Sequence, residues 1–267
     1  MEIMQILTFI LVFIFGSVIG SFLNVLILRL PEDKSLKGRS VCPNCQNQLG
    51  FWQLWPIVSF IFLAGKCAHC GKKISWRYPA IEIICALAFL FAWLQIRPEG
   101  LAEYLFLAEV WFFVAFAIAV FVIDLEHYLI FDSLVFPALG FFLLVNLGLD
   151  LLGQGGGFKH SLGGIYGMMA GALPFYLIWR FSKGRLMGLG DAKLMLPLGA
   201  AAGWPGVLVL LFIAVFLGSL VGIGLLGAGK KTLKSPLPFG CFLVIGGFLA
   251  LLYGEKIIRW YLSLLGG

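Results

Sequence analysis

The run IMQILTFILVFIFGSVIGSFLNVLIL, from Ile3 to Leu28, carries no charged side chain over 26 positions. At about 1.5 Å rise per residue a helix of this length crosses a hydrocarbon core of ~30 Å. Met1 and Glu2 supply no basic n-region, and no small-residue cleavage site closes the run, so a permanent first span is expected and not a cleaved signal peptide. The rest of the chain agrees: 61% of residues are hydrophobic, 12% are charged and the mean hydropathy is +1.01. An ordinary soluble domain is roughly 45–50% apolar. The expected fold class is an all-α polytopic membrane protein.

Arg29 to Tyr78 is the only long polar stretch, with Arg29, Lys34, Lys37, Arg39, Lys66, Lys72, Lys73 and Arg77 against Glu32 and Asp33. The positive-inside rule makes this loop cytoplasmic and places the N-terminus outside. Further spans are expected near 79–96, 102–123, 132–152, 160–181, 190–203, 205–228 and 238–254, giving about eight transmembrane helices. Inside loops then collect Arg180, Lys183, Arg185, Lys230, Lys231 and Lys234, and outside segments hold Arg97, Lys159, Lys256 and Arg259. The net charge of +6 therefore reports topology and not nucleic-acid binding. The segment 190–203 is short for a full crossing, and Lys256 to Leu265 is expected at the outer interface. Three regions result: 1–28, a first transmembrane helix; 29–78, a cytoplasmic zinc-binding loop domain; and 79–267, a transmembrane catalytic bundle.

Within the loop, Cys42-Pro-Asn-Cys45 and Cys67-Ala-His-Cys70 form two Cys-x-x-Cys pairs separated by the 21 residues from 46 to 66. This is close to a zinc-ribbon spacing, each knuckle presenting two thiolates on a tight turn with Pro43 and Gly71 assisting. The alternatives are two disulfides, which a reducing cytoplasm does not sustain, or four free thiols. A four-sulfur shell leaves no open coordination position, so the zinc is a structural staple. His69 lies inside the second knuckle as a possible substitute ligand. Cys85 and Cys241 fall in apolar runs and read as inert packing residues.

Acids inside spans are functional candidates by default. Asp124 ends the apolar run from Trp111, and Asp191 opens the run from Ala192 in MGLGDAKLMLPLGA, residues Met187 to Ala200. The topology puts both at the cytoplasmic ends of their spans. Two close carboxylates share a proton, so one can act as base on a water while the other donates a hydrogen bond to a scissile carbonyl. Gly188 and Gly190 let the backbone ahead of Asp191 bend and approach a neighbour closely. Asp132 is expected as an N-cap. Lys193 lies on a different helical face from Asp191, and Glu82, Glu109, Glu126, His127 and His160 are expected in interfacial or pairing roles.

An ordered set of motifs runs through most of the chain: Gly20-Ser-Phe-Leu-Asn-Val25, the two Cys-x-x-Cys pairs, Ile74-Ser-Trp-Arg-Tyr-Pro-Ala-Ile-Glu82, Asp124, Gly188-Leu-Gly-Asp-Ala-Lys-Leu194 and Pro238-Phe-Gly240. In this the chain resembles the type IV prepilin leader peptidases, membrane aspartic proteases of the GxGD class. The resemblance implies catalysis by Asp124 and Asp191, zinc on Cys42, Cys45, Cys67 and Cys70, and a site in the bacterial cytoplasmic (inner) membrane. The implied substrates are prepilins and pseudopilins of type IV pilus or type II secretion systems, cut at the cytoplasmic face. It also implies S-adenosylmethionine-dependent N-methylation of the new N-terminal residue, for which the chain has no Rossmann-type glycine-rich loop. Where the family has a second aspartate and a Leu-Pro-Asp or Ile-Pro-Asp, this chain has Glu126 and Ile130-Phe-Asp132. Two other functions stay open on the residues alone. One is a proton- or cation-coupled transporter using Asp124 and Asp191, which the common depth of the two acids disfavours. The other is a structural subunit of a secretion machine that docks through the zinc loop.

Overall fold

The computed structural model describes residues 2–154, 156–229, 232 and 235–264. Lys230, Lys231, Lys234 and Leu265, used above for topology, lie outside them. The described chain is helical, with two isolated antiparallel bridges, Val41 to Gln48 and Lys66 to Lys73, and no strand. Two compact units divide after Glu99: Met1–Glu99 and Gly100–Gly267.

The first unit pairs two long apolar helices, α1 (Glu2–Arg29) and α3 (Arg77–Ile96). Between them run the cysteine loop, two 3₁₀ turns at Leu30–Glu32 and Phe51–Leu54, and the short helix α2 (Val58–Phe62). Asn24 of α1 donates to the Tyr78 carbonyl of α3 at 3.1 Å, a polar tie that suits two helices with little aqueous competition.

The second unit contains α4 (Leu101–His127), α5 (Asp132–Leu151), α6 (Lys159–Ser182), α7 (Leu189–Ala202), α8 (Gly206–Gly227) and α9 (Phe239–Leu264). Among the described residues seven helices are long and apolar enough to cross a membrane, and α7 is not one of them. Its 14 residues reach about 21 Å, short of the ~30 Å core. The reason it holds its place is burial: Leu194, Met195 and Leu198 are fully enclosed, in one core with Phe113, Phe142, Leu210 and Leu243. A helix apolar on every face belongs inside a bundle, and α7 packs against α5, α6, α8 and α9. Its approach to α6 is closest where Gly167 and Gly199 face each other, since a methyl on either would overlap the other's backbone. The α6 series Gly163, Gly167, Gly171 is a small-residue stripe of the kind that brings membrane helices together.

Several boundaries differ from the expected ones. The helix α4 continues past Asp124 to His127 and stops where Tyr128 takes a left-handed conformation, its N–H bonding the Asp124 carbonyl at 2.9 Å. The segment from Lys256 is not separate from the last span, because α9 is continuous through Leu264. Asp132 is not an N-cap: that position falls on Phe131, with no side-chain capping bond. Phe131 has φ −88° and ψ 130°, close to the polyproline region, so the turn survives without the family's proline.

Candidate active site and metal centre

Three helix termini meet at one end of the second unit. α4 brings Asp124 in its last turn, and α7 brings Asp191 in its first. The third is the first turn of α9, whose leading N–H groups have no partner within the helix. Asp124 is 5% exposed, and its Oδ2 accepts the Cys241 N–H at 3.1 Å. The Gly240 N–H is directed to the same carboxylate. Gly240 is a steric necessity, because a Cβ there would stand 2.8 Å from Asp124 Oδ2. Asp191 is half-buried, accepts the Gly188 N–H, and lies within reach of the charge on Asp124. Among the described residues neither acid is ion-paired to a Lys or Arg.

Gly188 and Gly190 have separate roles. Neither takes a left-handed conformation, so backbone freedom is not what the site demands of them. At Gly190 a Cβ would press against Ile130 at 3.2 Å, in the turn that follows Asp124, while at Gly188 there is room. Lys193 leaves Asp191 alone and bonds both carboxylate oxygens of Asp132 at 2.8 Å, joining the first turns of α7 and α5. An apolar groove of about 290 Å³ opens between α6 and α7, lined by Met169, Leu173 and Tyr176 and by Leu189, Ala192 and Lys193. Its α7 lining flanks Asp191 in sequence, with Leu189 on one side and Ala192 on the other.

Cys241 corrects the inert-packing expectation. Its backbone serves Asp124 and its thiol donates to the Phe121 carbonyl at 3.3 Å. The legible signal was Pro238-Phe-Gly240, a helix start offering free N–H groups, but the sequence did not say to what. Cys85 is fully buried, as expected of a packing residue. The remaining acids are elsewhere. Glu82 is buried in the first unit and accepts the Ile57 N–H at 2.7 Å. Glu126 and His127 form an exposed pair at 3.8 Å. Glu109 is 2% exposed, with Oε1 unpartnered, and lies 15 residues from Asp124 along α4, about 22 Å. Asp150, not singled out from sequence, accepts the N–H groups of His160 and Ser161 at 2.8 Å each and caps α6 from the end of α5.

The first unit holds the cysteine centre. The two knuckles repeat one pattern: Gln46 N–H bonds the Cys42 carbonyl and Gly71 N–H bonds the Cys67 carbonyl, each at 2.9 Å. Gln46 and Gly71 both have positive φ, at 58° and 68°, which closes each turn. All four sulfurs lie within 4.8 Å of one another, and Cys42 Sγ is 4.0 Å from Cys70 Sγ. A tetrahedron with metal–sulfur bonds of about 2.3 Å has edges of about 3.8 Å, so the cluster fits one zinc ion. Backbone N–H groups of Cys45 and Asn44 draw the Cys42 thiol down to about 6, toward the thiolate that a metal binds. His69 is exposed and outside the cluster.

Comparison with known proteins follows the same division. Residues 14–96 match the bacterial peptidase A24 N-terminal domain, and residues 111–223 match the type IV leader peptidase family. The "prepilin leader peptidase/N-methyltransferase" of Aeromonas hydrophila is 35% identical, over 96% of this chain and 94% of its own. The chain belongs to the type IV leader peptidase family. Family members under the same name in Bacillus subtilis and Pseudomonas aeruginosa are 33% and 30% identical, covering 95% and 94% of this chain and 98% and 92% of theirs. No solved structure matches it. Membership makes the chain an enzyme, a peptidase, and the seven long apolar helices make it a multi-pass membrane protein.

Proposed function

We propose that the chain removes the leader peptide of type IV prepilins or pseudopilins at the cytoplasmic face of the inner membrane, with Asp124 and Asp191 as an aspartic dyad. The observation that carries this reading is the convergence of these two acids, which have 66 residues between them in sequence, at one end of the bundle, close enough for the charge on Asp124 to act on Asp191. The pair holds one proton between them. The ionised carboxylate takes a proton from a bound water as the water oxygen bonds to the scissile carbonyl carbon. The protonated partner donates to the carbonyl oxygen as it gains charge. Collapse of the tetrahedral adduct breaks the C–N bond, and the proton taken from water passes to the departing amine. The N–H groups of Gly240 and Cys241 orient Asp124, and Gly188 orients Asp191. The groove beside Ala192 and Lys193 suits an apolar peptide segment.

The N-terminus lies outside and the cysteine loop inside, on the distribution of Lys and Arg. Cys42, Cys45, Cys67 and Cys70 hold a structural zinc that fixes a loop too small for its own core. The names of the relatives add N-methylation of the new N-terminus, with S-adenosylmethionine as methyl donor. Among the described residues there is no strand, hence no Rossmann-type cradle, and no residue is assigned to the donor.

The test is single-turnover cleavage of a synthetic prepilin segment by the purified protein beside Asp124→Asn and Asp191→Asn. Folded, zinc-loaded variants that no longer cut support the dyad. Cutting at the parent rate by either variant overturns it, and ion flux in vesicles lost with Asp191→Asn would then favour transport.

A further inference from the structure

The cysteine loop carries a large apolar surface that neither the metal centre nor the dyad uses. Phe51, Trp52, Ile61 and Phe62 are 70%, 72%, 69% and 84% exposed, and Trp55 is also exposed. Phe51, Trp52 and Trp55 nonetheless form a ring cluster, with centroids 5.1 to 6.2 Å apart. An exposed aromatic patch of this kind is a contact surface.

Its depth is set by Glu82. That residue is the sixth of α3, whose 20 residues span about 30 Å, so its backbone lies ~7 Å inside the start of the span. Helical side chains lean toward the N-terminus, which aims the carboxylate back at the boundary. There it accepts the Ile57 N–H at 2.7 Å. Ile57 has φ 62°, a costly conformation for a β-branched residue, and the bond holds it in the bend between Trp55 and α2. On the far side of α2, Phe60 packs on Trp76 at the foot of α3, centroids 4.8 Å apart. The segment from Phe51 to Phe62 is thus tied, at Ile57 and Phe60, to the entry level of a membrane span.

We infer that the segment Phe51–Phe62 is a membrane-interface anchor, lying in the headgroup–acyl boundary with Phe51, Trp52, Ile61 and Phe62 turned to lipid. Tryptophan has its favoured place at that level, apolar body toward the chains and N–H toward the headgroups. The same loop supplies Lys34, Lys37, Arg39, Lys66 and Lys73, cations that anionic headgroups attract. The anchor holds the zinc knuckles flat against the membrane; a free-hanging loop would leave this surface in water.

The test uses the full-length, zinc-loaded protein in vesicles of phosphatidylcholine and phosphatidylglycerol. The emission of Trp52 and Trp55 is read as the difference between the parent and a Trp52→Phe/Trp55→Phe variant, which keeps rings at both positions. The expected result is a blue-shifted difference spectrum, cut by roughly half or more by lipids brominated near the headgroup, less by lipids brominated at the chain end, and little by aqueous iodide. A red-shifted spectrum quenched by iodide and indifferent to brominated lipid overturns the inference. So does a signal shielded from both, which would mean that a protein surface covers the patch. Should the double variant lose its zinc, Phe62→Trp in the parent background supplies an added signal with the same expected and overturning results.

Discussion

The carboxylate of Asp124 accepts the backbone N–H of Cys241 across 117 positions of sequence, at 3.1 Å. A helix N-terminus offers N–H groups that nothing inside the helix can use, and a carboxylate is their natural acceptor. The contact joins the end of α4 to the start of α9 and orients one acid of the proposed dyad.

This geometry separates two neighbouring substitutions. Gly240→Ala puts a methyl 2.8 Å from Asp124 Oδ2 and so displaces the carboxylate, and kcat for leader cleavage is expected to fall by about 10²-fold, since small displacements at a reacting centre cost that much. Cys241→Ala keeps the N–H and is expected to stay within a few-fold of the parent. Equal, parental activity in both would remove Asp124 orientation from the account of α9.

Asp124→Asn and Asp191→Asn should each lower cleavage by ~10²–10⁴-fold or more, the range for a positioned acid or base. Because a dyad needs one charged and one neutral member, the parent's kcat should fall at both extremes of pH. A flat profile in detergent would count against shared-proton chemistry.

The Lys193–Asp132 pair is partly exposed and so contributes little stability, about 0–1 kcal/mol. Its expected effect is positional, since it fixes the α7 turn that carries Asp191. Lys193→Met and Asp132→Asn should each reduce kcat several-fold with thermal midpoints nearly unchanged, and the double variant should be no worse than either single one. Additive losses would show that the two side chains act separately.

One zinc per chain is expected by metal analysis, lost on acidification or chelation because the ligand thiolates must give way to protons. Cys42→Ser should lower zinc content and raise protease sensitivity between residues 29 and 78, leaving the second unit intact. Unchanged zinc content in that variant would rule out the four-sulfur site.

What the sequence determined by itself follows from local chemistry. Long uncharged runs can only be helices in lipid, because backbone polar groups have no other partner there. The paired Cys-x-x-Cys turns presented a metal geometry for the same local reason, each knuckle closing on its own residues. The two acids could be named, since charge in an apolar run demands a reason. Only the tertiary structure decided which groups face them. Cys241 looked like packing because the group that orients Asp124 at 3.1 Å is its backbone N–H, and backbone groups carry no sequence signature. Lys193 and Asp132 looked unrelated because 61 positions separate them. The short α7 looked too short for the bilayer because its solvent is other helices, and burial by neighbours is a property of the packed bundle and not of any one segment.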